Sequence, residues 1–262
     1  MERRTDEVQL LEALRSNRQK RERQGRFLVE GVRNIDAAVR AGWSLDMVLV
    51  PTDLERPRSR WATELLDRVE VEQLHLPVDL FDSLTDRDER PELVLVARMP
   101  ARRTLDADVP VGRTVVVLDR IASPGNLGTI VRTADALGAG AVITVGHSAS
   151  PWDPQCVRAS TGSLFAVPVV AIAGPDELVA WARSRRLPLV ATDEAADIDV
   201  AAAALVPPTA VLLGNETTGL SRALRDAADV IVRIPITGTA SSLNVAVAAG
   251  IVLHELARRE RA

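Results

Sequence analysis

Cysteine, tyrosine and lysine are nearly missing from this chain. Of its 262 residues one is cysteine and none is tyrosine, and among the 32 basic residues Lys20 is the single lysine. One thiol, Cys156, excludes an intramolecular disulfide framework and fits a reducing compartment. Codon bias is the simplest account of the arginine excess and the lack of tyrosine. Long apolar runs are missing too: stretches such as Val245 to Leu253 fall well short of the roughly 20 residues that a membrane span needs. Glu2, Arg3 and Arg4 lead into a mixed polar run, so no signal peptide is expected. His75, His147 and His254 are scattered without metal-ligand spacing, which predicts no metal site. These absences together predict a soluble, cytoplasmic protein with no membrane partner.

What is present describes a folded chain. Apolar side chains make up 47% and charged ones 26%, too apolar for disorder. At about 150 residues per domain the length allows one large domain or two small ones. The net charge of −4 argues weakly against a nucleic-acid partner. Net charge averages over all faces, however, and phosphate binding needs only one basic patch.

Val8 to Arg23 reads as a helix with a basic end, closed by Gly25. Strands at Phe27–Gly31, Leu45–Val50, Glu70–Leu76 and Leu93–Val96 then alternate with helices at Val32–Ala41, Trp61–Val69 and Asp79–Leu84. That alternation predicts a small α/β domain over residues 1–100. Within it, Asp86 to Arg90 reads as a solvated loop. Residues 101–113, polar and punctuated by proline, read as a linker. From 114 to 262 the alternation restarts with fully apolar strands at Val115–Leu118, Ala141–Val145, Pro168–Ile172, Leu187–Ala191, Ala210–Leu213 and Val230–Ile234. Helices are expected at Leu127–Leu137, Asp176–Arg185 and Leu243–Arg259. Strands without period-two alternation are buried on both faces, which predicts a parallel, doubly wound sheet.

Three polar segments follow apolar strands in this second half, where open α/β sheets place ligands. The first runs Asp119-Arg120-Ile121-Ala122-Ser123-Pro124-Gly125-Asn126-Leu127-Gly128 and leads into a helix bearing Arg132. It is not G-x-G-x-x-G, which disfavours a nicotinamide-nucleotide site. The second is Gly214-Asn215-Glu216-Thr217-Thr218-Gly219-Leu220-Ser221, where glycines let backbone approach a ligand. The third is Ile234-Pro235-Ile236-Thr237-Gly238-Thr239-Ala240-Ser241-Ser242-Leu243-Asn244. A tight turn would explain the first, a structural turn either glycine of the second, and helix capping the serines and asparagine of the third.

In this order and spacing the segments resemble the three signature motifs of the SpoU/TrmH family of RNA ribose 2′-O-methyltransferases, in the SPOUT superfamily. Asn126 to Arg132 match the first motif, Gly214 to Ser221 the second and Ile234 to Asn244 the third. Arg158 to Phe165, followed by Pro168, is similar to a further family segment. Asn17 to Arg21 and Phe27 to Arg33 resemble the family's ribosomal-protein-like substrate-binding extension.

The resemblance implies a parallel sheet tied in a deep trefoil knot, which no periodicity suggests, since knots are nearly absent from proteins. It implies S-adenosylmethionine as cofactor, held by Gly214, Ile234 and Leu243 with Asn215, Gly219 and Ile236 close by; Thr192 and Asp193 are weaker candidates. Asn126, Arg132, Glu216, Ser242 and Asn244 are the implied catalytic set. A guanidinium with a pKa above about 12 does not readily serve as a base, so Arg132 is expected to grip the target phosphate and orient the hydroxyl. The implied partners are ribosomal RNA and a second copy of the chain in a homodimer. For RNA contact the expected residues are Arg15, Arg18, Lys20, Arg21, Arg23 and Arg26; a solvated helix end is the alternative. The implied reaction is methylation of a ribose 2′-hydroxyl in 23S ribosomal RNA, giving resistance to a ribosome-targeting antibiotic. A transfer-RNA ribose methylase, a non-catalytic RNA-binding relative and a nicotinamide-dependent oxidoreductase are the other readings.

Overall fold

A computed structural model of the chain describes residues 2–54, 56–85 and 90–261. Of the solvated loop expected at Asp86 to Arg90, residues 86–89 lie outside the described residues. Two compact units result: residues up to Ala101 together with Trp152–Phe165, and Arg102–Pro151 together with the chain from Ala166 onward.

The first unit begins with α1 (Glu2–Ser16) and α2 (Arg18–Gln24). The one helix expected here breaks because the Asn17 side chain accepts from Lys20 N at 3.0 Å and caps a new helix. Then come β1 (Arg26–Glu30), α3 (Val32–Arg40), β2 (Leu45–Pro51) and α4 (Arg60–Arg68). The first half ends with β3 (Glu72–Leu76), α5 (Val78–Ser83) and β4 (Val94–Arg98). The sheet order is β1-β4-β2-β3, with β4 antiparallel to both neighbours and β2 parallel to β3. Leu11 and Leu14 of α1 and Phe81 of α5 pack on Leu28, Leu49 and Val96 of the sheet. Each such side chain contributes about 1.5–3 kcal/mol on full burial.

In the second half come α6 (Leu105–Asp108), β5 (Val115–Asp119), α7 (Pro124–Ala136) and β6 (Ala141–Val145). Next are α8 (Pro154–Ser160), β7 (Val169–Ile172), α9 (Pro175–Ser184) and β8 (Leu189–Thr192). The chain ends through β9 (Ile198–Asp199), β10 (Ala210–Leu213), α10 (Arg222–Ala227), β11 (Val230–Arg233) and α11 (Val245–Glu260). The compact units cut across the domain expected over 114–262, because α8 belongs to the first unit and packs on β1. Phe27, Trp43, Trp152 and Phe165 form an aromatic cluster there, with Phe27 and Trp152 ring centroids 4.9 Å apart. Trp43 Nε1 donates to Phe165 O at 3.2 Å. Aromatic contact, rather than chain order, places this segment.

The second unit is the expected parallel sheet, with seven strands in the order β7-β6-β5-β10-β8-β11-β9 and every pairing parallel. Every residue of β5, β6 and β10 is buried, as strands covered on both faces require. The linker expected at 101–113 is also corrected: it carries α6, and Leu105 and Val109 are buried in this unit's core. Strand β9, with two residues and an exposed Ile198, is too short to show in the apolar pattern.

Candidate active site

The C-terminal ends of β5, β8, β10 and β11 bring three loops together. After β5 the Ser123 side chain accepts from Asn126 N at 3.2 Å and starts α7. After β10, Asn215 and Gly219 exchange backbone hydrogen bonds of 3.1 and 3.0 Å. The Asn215 Oδ1 accepts from Thr217 N and Thr218 N at 2.9 and 3.1 Å, closing a tight loop. Gly214 is required here because an added Cβ would lie 2.3 Å from Gly219 C and Leu220 N. Gly219, at φ 64, takes the left-handed conformation that glycine accepts freely. After β11 the chain returns to Asn244, which caps α11 by accepting from Ala246 N at 2.8 Å.

The loops meet in a hydrogen-bonded chain of three side chains. Asn126 Nδ2 donates to Glu216 Oε1 at 2.9 Å, and Asn244 Nδ2 donates to Asn126 Oδ1 at 3.2 Å. Capping and site-building are therefore not alternatives for Asn244, since its two side-chain atoms do both. Partial burial pushes the Glu216 carboxyl up, but donation by Asn126 and by the backbone, including Ala122 and Ser123, carries it below its ordinary value. Glu216 is thus a carboxylate near neutral pH.

Beside this chain lies a cleft of about 500 Å³ lined by Thr192, Asp193, Gly214, Asn215, Glu216, Gly219, Ser242, Leu243 and Asn244. That volume suits a small-molecule ligand. Ile234 and Ile236 line an adjoining hollow with Thr192, Asp193 and Leu243. All eight expected cofactor residues and the catalytic candidates Glu216, Ser242 and Asn244 thus wall these two hollows, with Asn126 bonded to Glu216. Arg132 does not line the cleft. It is exposed on α7, six residues past Asn126 and so about 9 Å further along the axis.

Several wall residues carried no role in the sequence reading: Glu194, Leu213, Leu220 and Ala248. Asp119 was missed as well. It is 2% exposed and accepts from Ser221 N at 2.6 Å. An acidic residue ending a wholly apolar strand was the signal available for it.

The basic residues of the first unit divide. Arg21 was expected to contact RNA, but it is 2% exposed and donates to Leu14 O, Arg15 O and Asp153 Oδ2 at 2.9–3.0 Å. Burial lowers its pKa and Asp153 opposes the shift. Arg26 is also corrected: at 13% side-chain exposure it pairs with Glu7 and Asp46. Both lie on the inward side of the helix-strand junction, which a count of charges does not reveal. Arg15 donates to Ser83 O and Thr85 O, and Arg18 pairs with Glu22. Lys20 and Arg23 are exposed.

The profile described as the SpoU rRNA methylase family matches residues 113–254, and that of the SpoU L30e-like domain matches residues 6–95. The chain belongs to the SpoU rRNA methylase family. It is 46% identical over 257 residues to the 23S rRNA (uridine(2479)-2′-O)-methyltransferase of Streptomyces viridochromogenes, covering 95% of this chain and 88% of that one. It is 36% identical over 205 residues to the 23S rRNA (adenosine(1067)-2′-O)-methyltransferase of Streptomyces azureus, covering 75% of each. In fold it matches the crystal structure of the SpoU methyltransferase AviRb from S. viridochromogenes in complex with AdoMet. The TM-score is 0.91 at 45% identity, over 98% of both chains. Among the described residues of this SpoU protein no group of His, Cys, Asp and Glu is arranged to hold a metal, and no helix is long and apolar enough to cross a membrane.

Proposed function

We propose that the protein transfers a methyl group from S-adenosylmethionine to a ribose 2′-hydroxyl of 23S ribosomal RNA. The observation that carries this is the Glu216–Asn126–Asn244 chain bordering a cleft lined by the loops that follow β8, β10 and β11. Gly214 tests the fit: without a Cβ it lets the backbone of Gly219 and Leu220 close against it, so the loop keeps a turn that no side chain at this position would allow. Backbone N–H and C=O groups of Gly214, Ile234 and Leu243 would hold an adenine by its edge, with Asn215, Gly219, Ile236, Thr192 and Asp193 around it. When bound, the cofactor supplies an electrophilic methyl on a positively charged sulfur.

The residues of the chain do the rest. Glu216, held ionised, favours positive charge at the mouth of the cleft. Asn126 and Asn244, fixed by their mutual bond, orient a ribose, with Ser242 beside them. Orientation of this kind can supply roughly 7–11 kcal/mol of barrier lowering. Arg132 grips the phosphate next to the target sugar, and that phosphate accepts the hydroxyl proton. We further infer a homodimer in which Arg132 serves the partner's cleft. In support, α7 and α11 lie side by side, Gly250 facing Thr133, and α11 exposes Val247 at 51% and Ile251 at 38% on one stripe. The return of the chain from β11 through 234–244 into α11, beside loop 214–221 at one cleft, is read as the trefoil knot of the family. Lys20 and Arg23, with Arg15 and Arg18 beside them, form the RNA-contacting end of the first unit. The reaction is placed in the cytoplasm, and a methyl within a drug site would give resistance to a ribosome-targeting antibiotic.

The deciding experiment incubates the protein with labelled S-adenosylmethionine and either 23S rRNA or transfer RNA, then maps ribose methylation. One methylated ribose in 23S rRNA is expected. Label in transfer RNA alone would favour the second reading, and none in either would overturn the enzymatic one.

A further inference from the structure

Arg120 follows β5 at φ 55, a left-handed conformation that a side chain disfavours. Glycine would occupy it without cost, so an arginine there calls for a reason. Its side chain supplies one. Nε and Nη2 donate to the two carboxylate oxygens of Asp119 at 3.0 and 3.3 Å, and Nη2 also donates to Gly219 O at 3.2 Å. Its carbonyl accepts from Asn215 Nδ2 at 2.7 Å. Asp119 in turn holds Ser221 N at 2.6 Å. The dipeptide Asp119-Arg120 therefore grips the 214–221 loop at both its start and its end. That loop contributes Gly214, Asn215, Glu216, Gly219 and Leu220 to the cleft wall.

We propose that Arg120 is a positioning residue, which holds the 214–221 loop in the shape that receives the cofactor. Arg120 does not line the cleft, and the proposal rests on the reading of this cleft as the S-adenosylmethionine site. One feature makes the grip specific to arginine: the planar fork can meet a carboxylate with two nitrogens and still reach a carbonyl, whereas lysine offers one nitrogen.

The test is titration calorimetry of the full chain with S-adenosylmethionine and with S-adenosylhomocysteine, beside thermal unfolding and steady-state kinetics. Arg120→Gly suits the backbone and should fold as the wild type does, with Tm unchanged within about 2 °C. Loss of a charge-assisted hydrogen bond at a partly exposed site should weaken cofactor binding about tenfold. KM for the cofactor should rise in step while kcat at saturation moves little, and Arg120→Lys should recover part of the loss. Unchanged affinity in Arg120→Gly would overturn the proposal, as would a fall in Tm with no change in Kd, which is what a purely structural role predicts. A wild-type chain that binds neither compound would overturn the cofactor reading itself and this proposal with it. Wild-type binding with an indifferent variant would overturn the proposal alone.

Discussion

The basic end of the first unit and the loop cluster of the second were both read from short polar stretches, and they behave differently. In the helix pair α1–α2 identical residue types have opposite fates: Arg21 is buried against Asp153 while Arg23, two residues on, is exposed. In the loop cluster, residues from three distant stretches arrive at one cleft. A charge run specifies composition but not which side of a helix meets the core. A glycine-bearing loop at the end of a buried strand has its position set by the strand and its shape by the glycine.

The sharpest break of that contrast is Arg21→Ala against Arg23→Ala. Removing Arg21 leaves Leu14 O, Arg15 O and Asp153 without their shared donor. Breaking a buried pair costs about 3–5 kcal/mol, and because Asp153 is 26% exposed the loss should be about 3 kcal/mol, at the low end. Arg23→Ala should stay within about 0.5 kcal/mol. Urea unfolding of both variants measures the difference, and equal effects would erase the distinction.

Gly214→Ala probes the other region. A Cβ 2.3 Å from backbone atoms of Gly219 and Leu220 forces the loop to open. Overpacking of this kind costs about 1–3 kcal/mol, and we expect cofactor affinity to fall by about a hundredfold, corresponding to about 2.7 kcal/mol. Calorimetry reads it directly. Near-normal affinity would mean that Gly214 does not shape the cleft.

Most of the architecture was legible before the structure. Fully apolar strands such as Val115–Leu118 show burial on both faces, and so the parallel sheet. The cleft was legible through its loops, because each expected residue that lines it lies at a strand end or in the loop that follows one. What stayed hidden depends on contacts far apart in sequence. The Trp152–Phe165 segment joins the first unit through Phe27 and Trp43, more than a hundred residues upstream. Asp119 and Arg120 stood in plain view at the start of the first polar segment, but their work shows only once Ser221 and Gly219 are found opposite them. Arg26 drew attention by charge and turned out to be held by Glu7 and Asp46.

Within the cleft, Glu216→Gln keeps an acceptor for Asn126 but removes the charge. Methylation should fall about a hundredfold, at the low end of the range for preorganised electrostatic groups, with cofactor binding less affected. The pH dependence has a definite sign. The Glu216 carboxyl lies below its ordinary 4.5, so its contribution to stability is complete above that value and is lost as pH falls through the lower folded pKa. Tm measured from pH 6 down to about 3 should therefore drop more steeply in the wild type than in Glu216→Gln. Parallel curves would show that the charge is not held by the loops.

The smallest effect returns to the exposed part of the basic end. Each phosphate neutralised on single-stranded RNA contributes roughly 0.7 to the slope of log affinity against log salt. Lys20→Ala with Arg23→Ala should therefore flatten that slope by at most about 1.4 and leave unfolding unchanged. Arg21→Met, which keeps the volume of the buried stem without its charge, should not alter the slope at all, because a guanidinium 2% exposed has no phosphate to reach. Filter binding of ribosomal RNA across a salt series distinguishes them. A slope that falls for Arg21→Met and not for the exposed pair would reverse the assignment of surface and core in α2.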